Sequence, residues 1–502
     1  MAIFQLNYND LKMKLSIKRA WMAWLLVPVF FSCTTYNKAM ESYYSNIQSH
    51  NYDKALHKLE KNKIINKNRN QLLYSLEAGK IYRLKNDFAT SNKYFNRADN
   101  YIERSRKTVG DVVVGNLLNP MQQAYRGEDF EQFMVHFYKA LNYAALGQTD
   151  EALVEARRIT LSANAQGDKF RNKEKRYSTD AFALNLQGMI YEMGGDINNA
   201  FISYRNAADV YLQSGNNYYG VNIPGQLKTD ILRTANAMGF NSETDRYEKI
   251  FNTSYIDDSA QNGELILFLE EGRAPVKEER NFILTSAGGT VGNFGFVDQD
   301  GFQSNINFNY NAYGISESKL STVRTLRVAM AVYRIVYPQQ LNASISINGN
   351  VYTPQLAENM NSLAVNVLKE RFLTELANAL ARQLTKKLLE KGTQAAAQGI
   401  AKNQEKDAPA NATEEEKKKK QQQNSDNAKA IGEVAGLLVN VANTITEKAD
   451  TRNWQSLPAF VSYVRLPLSH GENSININVN GQTKVLKVNG RKGIQMMSEL
   501  LD

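Results

Sequence analysis

Apolar residues in the first half of this chain recur every three to four positions, and the runs break at regularly placed Gly and Asn residues. That period predicts paired amphipathic helices. The clearest unit starts near Leu184. Gly188 stands where two helices would cross, Tyr191 follows one turn later, Gly195 sits in the turn, and Ala200, Tyr204 and Ala207 continue the pattern. The same residue types return in Gly79, Tyr82, Asn86, Phe88, Phe95 and Ala98, and again in Ala140, Tyr143, Gly147, Ala152 and Ala156. A weaker first unit carries Tyr43, Tyr44, Asn51, Tyr52 and Ala55. Small residues at the crossing and aromatics beside them are the pattern of tetratricopeptide-like units. One such unit exposes an apolar face, so the units must stack. The matched positions speak for packing and not for a ligand. Residues 104–130, including Val112 to Leu118 and Asn119-Pro120, read as an insertion able to lie across the groove.

After Gly239 the period changes. Strands are expected at Gly263 to Glu270, at 281–286, 303–310, 325–337 and 343–348, and in a last set at 458–468, 473–479 and 483–488. Asn480-Gly481 marks a hairpin turn in that set. Two helices interrupt the strands. One covers about 357–390, with Phe372, Leu376, Leu380, Leu384 and Leu388 in a stripe; the other covers about 428–448. Residues 392–427 between them are rich in Ala, Glu, Lys and Gln and read as a disordered linker. The expected fold class is α+β: an amino-terminal tetratricopeptide-like helical repeat (33–240), then a β-sandwich-like domain in two parts (241–356 and 450–502) around an inserted helix pair (357–449).

Residues 1–32 add a different signal. Lys14, Lys18 and Arg19 precede a short apolar run, Ala20 to Phe31, and Ser32 precedes Cys33, the only cysteine of the chain. A basic patch, an apolar stretch and a small residue before the cut form a secretory signal. With Cys at the cut it resembles a bacterial lipoprotein signal, which makes Cys33 the lipidation site. The run is too short to span a bilayer, which takes about 20 residues. Thr34 and Thr35 follow, without an Asp at the second position or an acidic cluster. The expected address is therefore the periplasmic face of the outer membrane, held by acyl chains. One cysteine forms no internal disulfide, so the core must hold the fold.

The chain has 502 residues, a 43 % apolar fraction and a formal charge of +9. In the periplasm the anionic partners are lipid head groups, lipopolysaccharide and peptidoglycan, and no nucleic acid is expected. Candidate chemistry is sparse. His50, His57, His136 and His470 show no metal-ligand spacing. No G-x-S-x-G elbow and no G-x-x-x-x-G-K-[ST] loop occurs. The glycine-rich stretch from Gly288 to Gly295 lacks the Lys and reads as a hairpin or loop. No catalytic set, cofactor or metal is expected. Asp258-Ser259-Ala260 resembles an O-glycosylation acceptor of some secreted bacterial proteins, with Ser259 as the acceptor.

Four strings together resemble an uncharacterised family of bacterial envelope lipoproteins with tetratricopeptide repeats: YRGEDFE at 125–131, YKALNYAALGQTDEALVEARR at 138–158, GRAPVK at 272–277 and DTRNWQSLPAFVSYVRLPL at 450–468. The resemblance implies a periplasm-facing lipoprotein with a helical half and a β-rich half, and brings no activity and no catalytic residues. Within the last string, Asp450, Arg452 and Trp454 are the candidate binding residues. They either form a sugar- or peptide-binding edge, since Trp stacks on sugars and anchors interfaces, or an internal ion pair with Trp454 in the core. The leading expectation is a non-enzymatic protein–protein scaffold in the cell envelope that offers its helical groove to a partner protein. The alternative is a glycan-binding module contacting peptidoglycan or exported polysaccharide through the β-rich domain.

Overall fold

A computed structural model describes residues 35–107, 120–170, 177–256, 263–286, 291–298, 303–313, 315–320, 325–390 and 448–501. The signal segment, Cys33, Ser259, the 392–427 linker and all but the end of the 428–448 helix lie outside them. The fold is mixed, with helices in the amino-terminal half and sheets in the carboxy-terminal half.

Among the described residues of the first half, ten helices pair in order: α1 (Tyr36–Gln48) with α2 (Tyr52–Lys61), α3 (Gln71–Leu84) with α4 (Phe88–Lys107), α5 (Asp129–Ala145) with α6 (Thr149–Phe170), α7 (Ala181–Met193) with α8 (Ile197–Gln213), and α9 (Gly225–Ala237) with α10 (Asn241–Phe251). The last helix corrects the expected boundary, because helices continue to residue 251 and not 240. The crossings are as close as the sequence implied. A Cβ on Gly188 would lie 2.4 Å from the Tyr204 ring, and one on Gly79 would lie 2.6 Å from the Phe95 ring. The turns share one chemistry. Asn86, Gly147 and Gly195 adopt positive φ (59°, 71° and 80°). Each lets the next amide reach back to a tyrosine carbonyl, on Tyr82, Tyr143 and Tyr191, at 2.8–2.9 Å. This is a left-handed helix stop that satisfies the last carbonyls.

A small hairpin, β1 (Asn217–Tyr218) and β2 (Val221–Asn222), separates α8 from α9. The second half holds three four-stranded sheets. The central sheet has the order β10 (Gln355–Asn359), β11 (Phe460–Pro467), β3 (Glu264–Glu271), β14 (Ile494–Leu501), with β3 and β14 parallel and the other pairs antiparallel. The second sheet orders β13 (Gln482–Gly490), β12 (Gly471–Val479), β8 (Ala343–Ile347), β9 (Asn350–Tyr352). The third orders β6 (Gln303–Asn307), β5 (Asn293–Asp298), β4 (Val276–Ser286), β7 (Thr325–Arg334). Part of the glycine-rich stretch thus lies in β5, the partner of β4.

Side chains alternate across a strand, and here both faces of β3 are covered. Leu265, Leu267 and Leu269 share a core with Ile345, Ile347, Ile475 and Ile477 of the second sheet. Ile266 and Phe268 share a core with the helices. The third sheet packs on α11 (Met360–Glu390): Leu376, Leu380 and Leu384 of the predicted stripe are fully buried against Phe282, Phe296 and Val328. The start of α11, at Met360, Leu363 and Val367, belongs to the helical core instead.

Enlarging the crossing at Gly188 should force Tyr204 out of place. Gly188→Ala is expected to destabilise the chain by about 1–3 kcal/mol, the usual range for overpacking. Urea denaturation measures it, and Gly188→Ala combined with Tyr204→Leu should recover part of the loss.

Candidate functional site at the junction of helices and sheet

The inner helices α3, α5, α7 and α9 carry buried charges where they meet the central sheet. Lys80 on α3 pairs with Glu270 on β3 and donates to the Tyr138 hydroxyl at 2.8 Å. Arg83, one turn on, reaches Asn142 (2.5 Å) and Ser498 of β14 (2.7 Å). Arg465 on β11 binds Glu192 (2.8 Å), Glu264 (2.6 Å) and Asp230 (3.4 Å), and Arg233 shares Glu192. Glu128, just before α5, is held by both Lys277 of β4 and Arg371 of α11. Burial opposes ionisation of Glu128, but Arg371 and Lys277 outweigh it and hold the carboxyl down at about 2. A buried ion without its partner costs several kcal/mol. These pairs therefore fix how the sheet sits against the helices more than they add net stability.

The residues singled out from the sequence lie inside this junction. Arg452 is 1 % exposed and Trp454 is fully buried. The Arg452 guanidinium donates to both Asp450 carboxylate oxygens (2.8 and 2.6 Å), to Asn70 (2.6 Å), and to the carbonyls of Gln123 (3.0 Å) and Pro120 (3.1 Å). It thereby ties down the described end of the segment read as an insertion. Trp454 sits between Phe95 and Tyr138, with ring centroids 5.8 and 5.7 Å away, and its indole N–H donates to Ser456 at 2.9 Å. The binding-edge expectation is corrected here: Trp454 has no open face on which a sugar could stack. The ion pair and core plug describe the geometry.

Glu131 was not legible as special. Its carboxylate accepts from the Trp454 amide (2.7 Å), the Tyr125 hydroxyl (2.7 Å) and the Glu128 amide (3.0 Å). Burial, with Glu128 nearby, raises it to about 7 in spite of those donors. Residues 125–131 and 450–454 meet at this carboxylate.

A second cluster, Asp99, His136 and Glu155, brings potential metal ligands within 4.8 Å of one another. Sequence spacing hid it, because α4, α5 and α6 each supply one member. The Lys139 ammonium already stands between its carboxylates, 2.9 Å from Asp99 and 2.8 Å from Glu155. A cation is thus built in. His136 joins Glu155 (2.8 Å) to Ser162 (3.3 Å), but Ser162 lies inside α6, where helical bonding occupies the backbone N–H groups an oxyanion would need. The cluster reads as a lock between α4, α5 and α6.

A cavity of about 730 Å³ opens between the helical turns and β14. Asn86, Gly147 and Met193 line it from the helices; Arg491, Lys492 and the length of β14 line it from the sheet. Among the described residues, no helix is long and apolar enough to cross a membrane. No family model matches the chain, and a search of curated proteins finds no relative.

Glu131 gives the junction a pH dependence with a definite sign. A carboxyl whose pKa is raised on folding supports the fold below its unfolded value, about 4.3, and withdraws that support as the pH climbs through its folded value. Wild-type stability should therefore decline between about pH 5 and pH 8, by roughly 1–3 kcal/mol from this group. Glu131→Gln, which cannot ionise, should flatten that slope in denaturation curves taken at pH 5, 6.5 and 8. An unchanged slope would remove Glu131 as its source.

Proposed function

We propose that this chain is an outer-membrane-anchored lipoprotein, lipidated at Cys33, that faces the periplasm and works as a protein–protein scaffold in assembly or maintenance of the cell envelope. In this reading the helical half is a tetratricopeptide-like array, and the first two sheets make a sandwich-like domain that the array embraces. The observation that carries the reading is the form of the cavity at β14. It is walled by helix turns and by the open edge of a sheet, and its polar lining is tied into internal bonds, with Ser498 donating to Glu270 at 2.8 Å and Glu270 paired with Lys80. A surface of that kind offers backbone groups and charge to a partner.

The expected mode of binding changes in one respect. The inner side of the helical array, read as a groove for a partner, is occupied by the chain's own β3, β11 and α11. A partner must use the surface left open at the ends of the helix pairs. The glycan alternative loses its main support with the burial of Trp454.

Crosslinking and affinity purification of the native protein from its own envelope, with Cys33→Ala as control, tests the proposal. A recurrent protein partner that is lost or strongly reduced when the anchor is removed is the expected result. Glycan without protein in the purified material would overturn the scaffold reading.

A further inference from the structure

The central sheet has two edges, and they are treated differently. The β10 edge is covered: β2 of the small hairpin packs beside it, and Gln355 of β10 accepts from the Gln226 amide at the start of α9 at 2.9 Å. The β14 edge has no strand beside it, although α5 and α7 pack against β14. Among the described residues β14 pairs only with β3.

The register shows which groups are left open. Glu264 pairs with Ile494, and its amide donates to the Gly493 carbonyl at 3.0 Å. In a parallel ladder the backbone groups of every second residue turn towards the partner strand. Gln495, Met497, Glu499 and Leu501 therefore face β3. The N–H and C=O groups of Ile494, Met496, Ser498 and Leu500 face the cavity.

An open edge invites another strand, and proteins usually block it with lysines, prolines, bulges or a cover. β13, the edge of the second sheet, carries exposed Lys484 and Lys487. β14 (IQMMSELL) has no Lys or Pro, and its one charge, Glu499, is tied to Lys484 at 2.7 Å. The cover is replaced by a cleft of about 730 Å³, within the usual size of a ligand site. Its mouth is basic. Arg491 and Lys492 are exposed just before the strand and pair with no carboxylate among the described residues.

We propose that β14 is a docking strand: an extended, acidic segment of a partner protein enters this cleft and adds a fifth strand to the central sheet. Main-chain hydrogen bonds to Ile494, Met496, Ser498 and Leu500 supply the affinity, and alternate side chains settle against the helix turns. Arg491 and Lys492 select negative charge and orient the entering segment. The proposal rests on the scaffold reading and names the class of partner.

The test uses the full chain in detergent and three kinds of fluorescent eight-residue peptide, followed by anisotropy. The first alternates glutamate with valine and threonine. The second replaces each glutamate by lysine. The third is the acidic peptide methylated on alternate backbone nitrogens in both registers. The acidic peptide should bind at micromolar concentration, and the other two at least tenfold more weakly. Arg491→Glu with Lys492→Glu should weaken the acidic peptide about tenfold and remove most of its salt dependence. Ile494→Pro deletes one outward donor without touching the ladder to β3, and should also weaken binding; the methylated peptides give the same information if that variant fails to fold.

Equal binding of the lysine peptide, or of the methylated ones, would overturn the proposal. So would absence of binding, or a concentration-dependent dimer that excludes the peptide. Any of these would leave the anchored scaffold standing, because a partner recovered by crosslinking could dock elsewhere. Failure to recover any protein partner by crosslinking, with peptide binding intact, would strike the scaffold reading alone.

Discussion

Strand β3 is covered on both faces, and the rest of the molecule is arranged around that constraint. Its odd-numbered leucines require the second sheet, and Ile266 and Phe268 require the helices. Glu270 comes to the helix side with them and is buried there. A carboxylate in that place needs a cation, which Lys80 supplies from α3 with Tyr138 beside it. One apolar strand and one ion pair thus bind the sheet to the array in a defined register. The same pattern repeats at Arg465 and at Glu128, where a charge from the second half meets its opposite on or beside an inner helix. Apolar contact supplies the attraction; the buried pairs reject any other seating, because a shift would strand the charges.

How much of this was readable from the chain depended on the range of the interaction. Helix pairs are local. The offset from Gly188 to Tyr204 returns from Gly79 to Phe95, and the structure shows both aromatics against both glycines. Most strands were readable for the same reason, as was the stripe of α11. The small β1–β2 hairpin, the strands β5, β9 and β10 and the edge strand β14 were missed, because their patterns are short or mixed and pairing defines them. The boundary at 240 fell one helix early, since Asn241–Phe251 is polar on most of its surface and only Tyr247 is buried.

The candidate site was less legible. Asp450, Arg452 and Trp454 were found but assigned an uncertain face, and burial decided it. Arg452 reaches Asn70, 382 positions away in sequence, and no periodicity reports such a contact. Glu131 and the Lys139 cluster were invisible for the same reason: their chemistry is created by neighbours from other helices. The open edge of β14 is likewise a property of the sheet order and not of its eight residues. That edge and the basic mouth beside it are where the structure leaves hydrogen-bonding groups and charge available, whereas the inner side of the array is spent on the chain's own sheet.

The helical half and the central sheet share one core and stand or fall together. Producing residues 35–256 alone and following urea unfolding by circular dichroism tests it directly. Without β3 and β11, Phe137, Phe182 and the charges of the inner helices lose their cover. The fragment should show reduced helicity and no cooperative transition, while the full chain unfolds in a single step. A fragment that keeps its full helix content and unfolds cooperatively near the full chain's midpoint would contradict it.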